Sequence, residues 1–361
     1  MYRSLLTFAA LMIALPTLLH AEGWSVQRDL DLELRYDVGY DNNILELSED
    51  DLDRYEIDQL RAHDDLETYD DLINTVSLRT RITSPEFLDW RNLRLYYTIG
   101  YQSYLRNPHA DRVTHSLFFT QDLVKYWDIL GGYFIIPERY LRDYYDRDWG
   151  EYYSCDFSYH LYSIGIRGKP FDRLQIEARY EGYQVYYNEY FTEYDTESVG
   201  FRAGLEYEIN HKLEASLELR RRWADNTGFE QSDFIAPNLE NPDEDAEYGD
   251  GSYGEEWIEA GIRWQTPKLL DRSWDTRLSY RMRHRFYTSE LSLEEDPFHA
   301  GREHWHQRLM LSTEVDVTKR FAVGPEIEYE WRRTESPAER VADIKDFNTY
   351  RFWLHLSYEI W

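Results

Sequence analysis

The chain has 361 residues, with 40 Lys+Arg against 69 Asp+Glu and a formal net charge of −29. So large an acidic excess excludes a nucleic-acid partner, which needs a basic face, and the lone cysteine, Cys155, excludes a disulfide scaffold. An aromatic content of 17%, with 32 Tyr, excludes a disordered chain.

The first element is an export signal. Arg3 is the only charge before Glu22, an apolar run from Leu5 to Leu19 is broken by Pro16, and Leu19-His20-Ala21 precedes Glu22-Gly23. This is a positive start, a short apolar core and a small residue at the cleavage position, so residues 1–21 are expected to be removed and 22–361 to form the mature domain. The run is too short for a spanning helix, which needs about 20 residues.

Beyond residue 25 the pattern has period two. Leu30, Leu32, Leu34, Tyr36, Val38 and Tyr40 alternate with Asp29, Asp31, Glu33, Arg35, Asp37 and Gly39. A strand this long matches a tilted bilayer crossing, which needs about 9–11 residues. The same alternation predicts further strands at 74–83, 92–102, 113–124, 128–137, 152–167, 173–186, 198–209, 212–224, 256–265, 274–287, 304–317, 321–332 and 349–361. The segment 152–167 changes phase between Leu161 and Tyr162, which predicts a β-bulge there. Connections alternate between short (for example Lys125–Trp127 and Asn210–His211) and long (41–73, 103–112, 138–151, 187–197, 225–255, 288–303 and 333–348). That alternation around an even strand set predicts an all-β fold: a closed antiparallel transmembrane β-barrel of about 14 strands, with short periplasmic turns and long acidic outer loops. Five of the six lysines (Lys125, Lys169, Lys212, Lys268 and Lys319) fall at the turn end, with Lys345 the exception, whereas Asn43–Asp70 holds eleven acidic residues against two Arg. Tyr36, Tyr40, Tyr101, Trp223, Tyr350 and Phe352 toward one end, and Trp127, Trp264, Trp274, Tyr358 and Trp361 toward the other, read as interfacial girdles.

On these residues the chain resembles bacterial outer-membrane β-barrel proteins of porin-like type over its mature length. The segment Tyr350-Arg351-Phe352-Trp353-Leu354-His355-Leu356-Ser357-Tyr358-Glu359-Ile360-Trp361 is similar to their C-terminal assembly signal, although Trp361 is out of phase with Ile360 and Tyr358. Val38-Gly39-Tyr40-Asp41-Asn42-Asn43-Ile44 is similar to the Gly-Tyr-Asp-x-Asn start of the barrel part of surface-lipoprotein and polysaccharide exporters, without the helical repeats to which those barrels are fused. The resemblance implies a Gram-negative outer-membrane location. It implies lipid and lipopolysaccharide as surroundings, the barrel-assembly machinery as a partner, and a monomer that closes on itself.

Residues between the outward-facing set point into the lumen. A basic middle-to-upper zone is expected from Arg202, Arg220, Arg222, Arg281, Arg283, Arg285, Arg308, Arg332 and Arg351. An acidic periplasmic mouth is expected from Asp29, Asp31, Glu33, Glu177, Glu206, Glu208, Glu214, Glu218, Glu314, Asp316, Glu326, Glu328 and Glu359, with Arg79 and Arg81 departing from the trend. Stacked arginines suit carboxylate, phosphate or sulfate solutes through their bidentate fork. The same charges could instead be interior ion pairs that cross-link the strands. Other signals are weak. His304-x-His306 lacks a third metal ligand, and Asn241-x-Asp243-x-Asp245 has Ala246 and Ser252 where a calcium loop needs Gly and Glu. Loose divalent-cation binding by the acidic loops remains open, and Cys155 reads as a small apolar filler. No phosphate loop or nucleophile elbow occurs, so neither a cofactor, a resident metal nor an enzymatic role is expected. The expected function is a channel for small hydrophilic or anionic solutes, the alternative being a non-conducting surface barrel whose acidic loops bind cations or a partner.

Overall fold

In the computed structural model, residues 30–57, 66–84, 92–146, 149–229, 249–266 and 272–361 are described. The signal segment, Asp29 and the Asn241–Asp245 segment lie outside them. Fourteen strands follow in chain order: β1 (Leu30–Asp41), β2 (Asp71–Thr83), β3 (Leu93–Tyr104), β4 (Arg112–Val124), β5 (Trp127–Asp146), β6 (Glu151–Phe171), β7 (Leu174–Tyr187), β8 (Thr196–Asn210), β9 (Leu213–Asp225), β10 (Tyr253–Gln265), β11 (Asp275–Tyr287), β12 (Glu303–Asp316), β13 (Phe321–Glu335) and β14 (Phe347–Glu359). Each pairs antiparallel with its chain neighbours, and β1 pairs with β14 to close the barrel. Two short helices, α1 (Glu49–Glu56) and α2 (Glu339–Lys345), lie in the first and last long loops.

The alternation dictates the wall. Leu34, Tyr36, Val76, Ile164, Ile166, Phe201, Leu205, Leu217, Leu219, Ile258, Ile262, Leu309, Leu311 and Leu354 are all exposed although apolar. They form an outer belt whose natural neighbour is lipid, because closure of β1 on β14 leaves no unpaired strand edge. Charged side chains at the intervening positions face inward.

The seam between β1 and β14 shows why the segment Gly39–Asn43 has its composition. Asp41 accepts hydrogen bonds from Arg351 Nε and Thr349 Oγ1, both at 2.6 Å. Asn42 Oδ1 accepts from the Tyr350 backbone N–H at 2.6 Å. Asn43 turns the chain by donating to the carbonyls of Leu47 (2.9 Å) and Asn348 (3.2 Å). Gly39 is required by close approach, since a Cβ there would sit 2.2 Å from the Trp353 ring. At the other end of the seam the strand stops at Glu359. Ile360 and Trp361 continue as a cap, with the Ile360 N–H donating to the Leu32 carbonyl at 2.8 Å. The phase slip of Trp361 is therefore a strand end.

Two expectations are corrected. No bulge occurs at Leu161–Tyr162: β6 pairs without a shift through Leu161↔Tyr183 and Tyr162↔Gly182, so Leu161 is an apolar residue that faces inward. The register shifts fall on the partner strand instead, between Ile136 and Arg139 and between Tyr140 and Arg142. Likewise 138–151 is not a long loop. β5 and β6 run on as a hairpin to Asp146 and Glu151, held beyond the wall by aromatic pairs such as Tyr145–Tyr152 (5.5 Å). Pro137 reads as a strand end and the run of charges after it as loop, but bulges accommodate both within the hairpin.

Candidate functional site

The interior is organised by register. Perpendicular to the strands, Arg179 of β7 stands opposite Arg202 of β8, then in turn come Arg220 (β9), Trp257 (β10), Arg283 (β11), His306 (β12), Arg332 (β13) and Phe347 (β14). One inward position below runs the sequence Glu177, Gly204, Glu218, Glu259, Arg281, Arg308, Glu330, Thr349. One position above runs Glu181, Gly200, Arg222, Glu255, Arg285, His304, Thr334. The basic residues picked out from sequence are therefore brought onto neighbouring strands of one arc of the lumen. They alternate with carboxylates that the sequence reading did not select: Glu181, Glu255, Glu259 and Glu330.

The pairing is close. Glu218 binds Arg202 (2.5 Å) and Arg220 (2.7 Å), and Glu259 binds Arg281 (2.7 Å) and Arg277 (3.3 Å). Glu255, only 3% exposed, faces Arg222, Arg285 (2.8 Å) and Arg283 (3.9 Å). Glu328 bridges Arg308 (3.0 Å) and Arg351 (2.6 Å), so it lies at mid-depth within the basic zone and not at the acidic mouth. Arg351 also meets Glu330 and Asp41. The Trp257 ring is sandwiched between the guanidiniums of Arg220 and Arg281, each 4.2 Å from its centroid. Delocalised guanidinium suits that position better than ammonium would.

At the turn end a cavity of about 340 Å³ is lined by Asp31, Glu33, Glu314, Asp316 and Glu359 together with Arg35, Arg79, Arg81, Lys319 and Arg320. Arg81 pairs with Asp31 and Arg35 with Glu33, so this mouth is mixed in charge and the departing arginines neutralise it. Glu206 accepts from Gln175 at 2.6 Å, Glu214 stands opposite Glu208 across β8 and β9, and Glu326 lies 3.8 Å from His355. At the loop end a second cavity, of about 260 Å³, is lined by Arg142, Arg285, Arg302, Arg332 and Lys345, by His299 and His304, and by five tyrosines. Arg142 and Arg302 were not selected from sequence; no local pattern marks them, because one sits on the bulged hairpin and the other in a loop.

The opposite arc is different. Inward positions at mid-depth on β2–β6 include Ser77, Thr98, Gly100, Thr114, Ser116, Phe118, Gly132, Phe134, Leu161, Ser163 and Gly165, with no charge among them. Arg179 reaches onto this arc: its guanidinium lies 5.0 Å over Phe118. It passes Gly165, where a Cβ would meet Arg179 Cγ at 2.6 Å. Glycine thus lets the arginine lie flat on the wall.

His304 is bonded to Thr334 (2.9 Å) and His306 to Arg283 and Glu330, so both are interior hydrogen-bonding groups. Among the described residues no group of three or more His, Cys, Asp or Glu side chains could hold a metal ion. Cys155 is fully buried as a free thiol.

No protein-family model matches the sequence, and no curated protein matches it. Among solved structures the chain is similar to a bacterial polysaccharide outer membrane secretin (10% identity, 91% of this chain and 98% of that chain, TM-score 0.48). It is also similar to the outer membrane channel DcaP of Acinetobacter baumannii (12%, 92% and 96%, TM-score 0.48) and to Pseudomonas aeruginosa OprD (11%, 92% and 96%, TM-score 0.40). At such identities the likeness extends no further than the barrel architecture.

Proposed function

We propose that the protein, exported with residues 1–21 removed, forms an outer-membrane channel for small hydrophilic, anionic solutes. The observation that carries the reading is the register row Arg179, Arg202, Arg220, Trp257, Arg283, His306 and Arg332 facing an arc whose mid-depth inward positions are small or apolar except for Arg79. A guanidinium offers five N–H donors. Those in ion pairs use only some of them on carboxylates, and the remaining edges suit a passing oxyanion. Such contacts replace hydration without holding the solute, as conduction requires. The acidic outer loops oppose anion entry at long range, but a Debye length of about 8 Å at physiological ionic strength confines that field to the loops. Lipid and lipopolysaccharide surround the belt, the assembly machinery reads the terminal strand, and the closed wall makes a monomer sufficient.

The test is single-channel recording of the purified protein in a planar bilayer. Stepwise ohmic conductance is the expected result, and silence across voltages and salts overturns it. A second reading, a non-conducting surface barrel, is favoured by one observation: Glu255 and Glu328 are buried in ion pairs between the two end cavities. That reading gives the acidic loop around α1 the functional role, in binding cations or a partner, and silence in the bilayer would promote it.

A further inference from the structure

One residue of the first outer loop is held in a conformation that its type disfavours. Among the described residues only two non-glycine residues have a positive φ, Glu46 (53°) and Tyr126 (72°). Tyr126 makes the tight turn between β4 and β5. Glu46 lies between β1 and α1, where glycine or asparagine would adopt the left-handed region at lower cost. The turn by itself gives no reason for a carboxylate there; its surroundings do.

The backbone around Glu46 is fixed by buried groups. Its N–H donates to the Asn43 carbonyl at 3.2 Å. The Asn43 side chain accepts from the Leu47 N–H and donates to the Leu47 carbonyl, both at 2.9 Å, and Asn43 is 1% exposed. Ser48 then caps α1 by accepting from the Asp51 N–H at 3.0 Å. α1 packs against α2, at whose end the Lys345 carbonyl accepts from Arg332 Nε at 2.5 Å. This frame delivers the Glu46 side chain to the basic row. Its carboxylate lies 3.9 Å from Arg332 Nη1 and acts electrostatically on Arg283 and His306 as well. Those three residues are consecutive members of the mid-depth row on β11, β12 and β13.

Wall carboxylates are placed differently. Glu218, Glu259 and Glu255 accept hydrogen bonds from arginines at 2.7, 2.7 and 2.8 Å. Glu46 is beyond hydrogen-bonding distance of Arg332, and its side chain is 39% exposed. Its charge is therefore presented to the lumen instead of being locked into the wall. We infer that Glu46 is a specificity-determining residue: a carboxylate carried inward by an outer loop, which offsets the basic row on its outer side and so limits its preference for anions. The inference deepens the channel reading. Its effect on passage rests on that reading, whereas the placement of the charge does not.

Two measurements on the full chain decide it. In planar bilayers with a KCl gradient near about 0.1 M, Glu46→Gln should raise the chloride-to-potassium permeability ratio about twofold or more. The difference should vanish near 1 M, where the Debye length is about 3 Å. Glu46→Gly, which suits the turn better, should do the same if Glu46→Gln does not fold. The second measurement reads the field at residue 46 without conduction. Cys155 is fully buried, so Glu46→Cys supplies the accessible thiol. It should react about threefold or more faster with an anionic methanethiosulfonate than with a cationic one, relative to a free thiol. Asp50→Cys, exposed on α1 beside Glu49, Asp51 and Asp53, should show the reverse preference. Selectivity unmoved by the variants in a conducting barrel, a change that persists at 1 M, or no anionic preference at Glu46→Cys would each overturn the inference. A silent barrel in which Glu46→Cys prefers the anionic reagent removes the channel reading alone and keeps Glu46 over the basic row.

Discussion

The two arcs of the barrel face each other across one lumen and are built on opposite plans. On β7–β14 the inward positions carry arginine, glutamate and histidine in register rows, and most of the mid-depth charges meet an opposite one on the next strand or two positions along their own. On β2–β6 the mid-depth inward positions are Ser, Thr, Gly, Phe and Leu, with Arg79 opposite Thr98 the exception, and further charge lies nearer the ends, as in Arg94–Asp122 (2.5 Å) and Arg167–Asp128 (2.8 Å). The charged arc is held together by side chains. The uncharged arc is held by backbone ladders and small residues that keep its surface low. A lumen with one charged side is electrically asymmetric across its width, and on the proposed channel function that asymmetry is what a solute would meet.

Breaking the charged arc should have the largest effect. Glu255→Ala leaves Arg222, Arg283 and Arg285 together in a buried space, and removing one partner of a buried ion pair costs about 3–5 kcal/mol. The denaturant midpoint of the folded barrel should fall accordingly. The matched change on the other arc, Thr98→Val, should shift it by about 0.5 kcal/mol or less. A comparable fall for both would show that the arcs do not differ energetically.

A change at the border of the arcs comes next. Gly165→Val places side-chain atoms where Arg179 Cγ and the Ala178 carbonyl now lie. Overpacking of this kind costs about 1–3 kcal/mol, and lifting Arg179 off the wall should lower single-channel conductance. Unchanged conductance in a folded variant would mean that Arg179 does not border the path.

The smallest effect concerns the outer loops. Burial opposes ionisation of Asp296, but hydrogen bonds from His299 and Ser289 and the His299 ring outweigh it and hold its carboxyl below the ordinary 3.8. A depressed value stabilises the loop above pH 3.8, and the contribution is lost as pH falls through the lower folded value. Hydrogen exchange in residues 288–302 should therefore be slow at pH 6 and speed up relative to the strands as the pH is taken well below the ordinary 3.8. In Asp296→Asn the protection should be weak at both. Equal protection in the two proteins at pH 6 would contradict the role given to Asp296.

The strands were legible because period-two alternation and closure leave little freedom: Leu30–Tyr40 or Ile258–Trp264 can be read from spacing alone. The arginines were legible for the same reason, since Arg281, Arg283 and Arg285 share a face by parity. Their partners were not. Glu255 falls in the stretch read as the long loop 225–255, whereas β10 begins at Tyr253; Glu259 lies on a strand whose inward face is not sorted by height in the sequence, and Glu328 reads as part of the mouth because rows perpendicular to tilted strands climb around a barrel. The extension of the β5–β6 hairpin was not legible because Pro137 reads as the last residue of a strand and Glu138, Arg139 and the charges after them as loop, while bulges let a strand keep them. The loop-end cavity depends on contacts among segments more than 100 residues apart, which no local pattern records.

The account turns on whether the arginine arc lines a conducting path, and the reversal potential in a salt gradient measures this most directly. The unmodified protein should reverse toward the chloride equilibrium potential. Changing Arg281, Arg283 and Arg285 to Gln should move the reversal potential toward the cation's. That difference should shrink near 1 M salt, where the Debye length is about 3 Å. Identical reversal potentials in a folded variant and the unmodified protein, or cation selectivity in the unmodified protein, would contradict it.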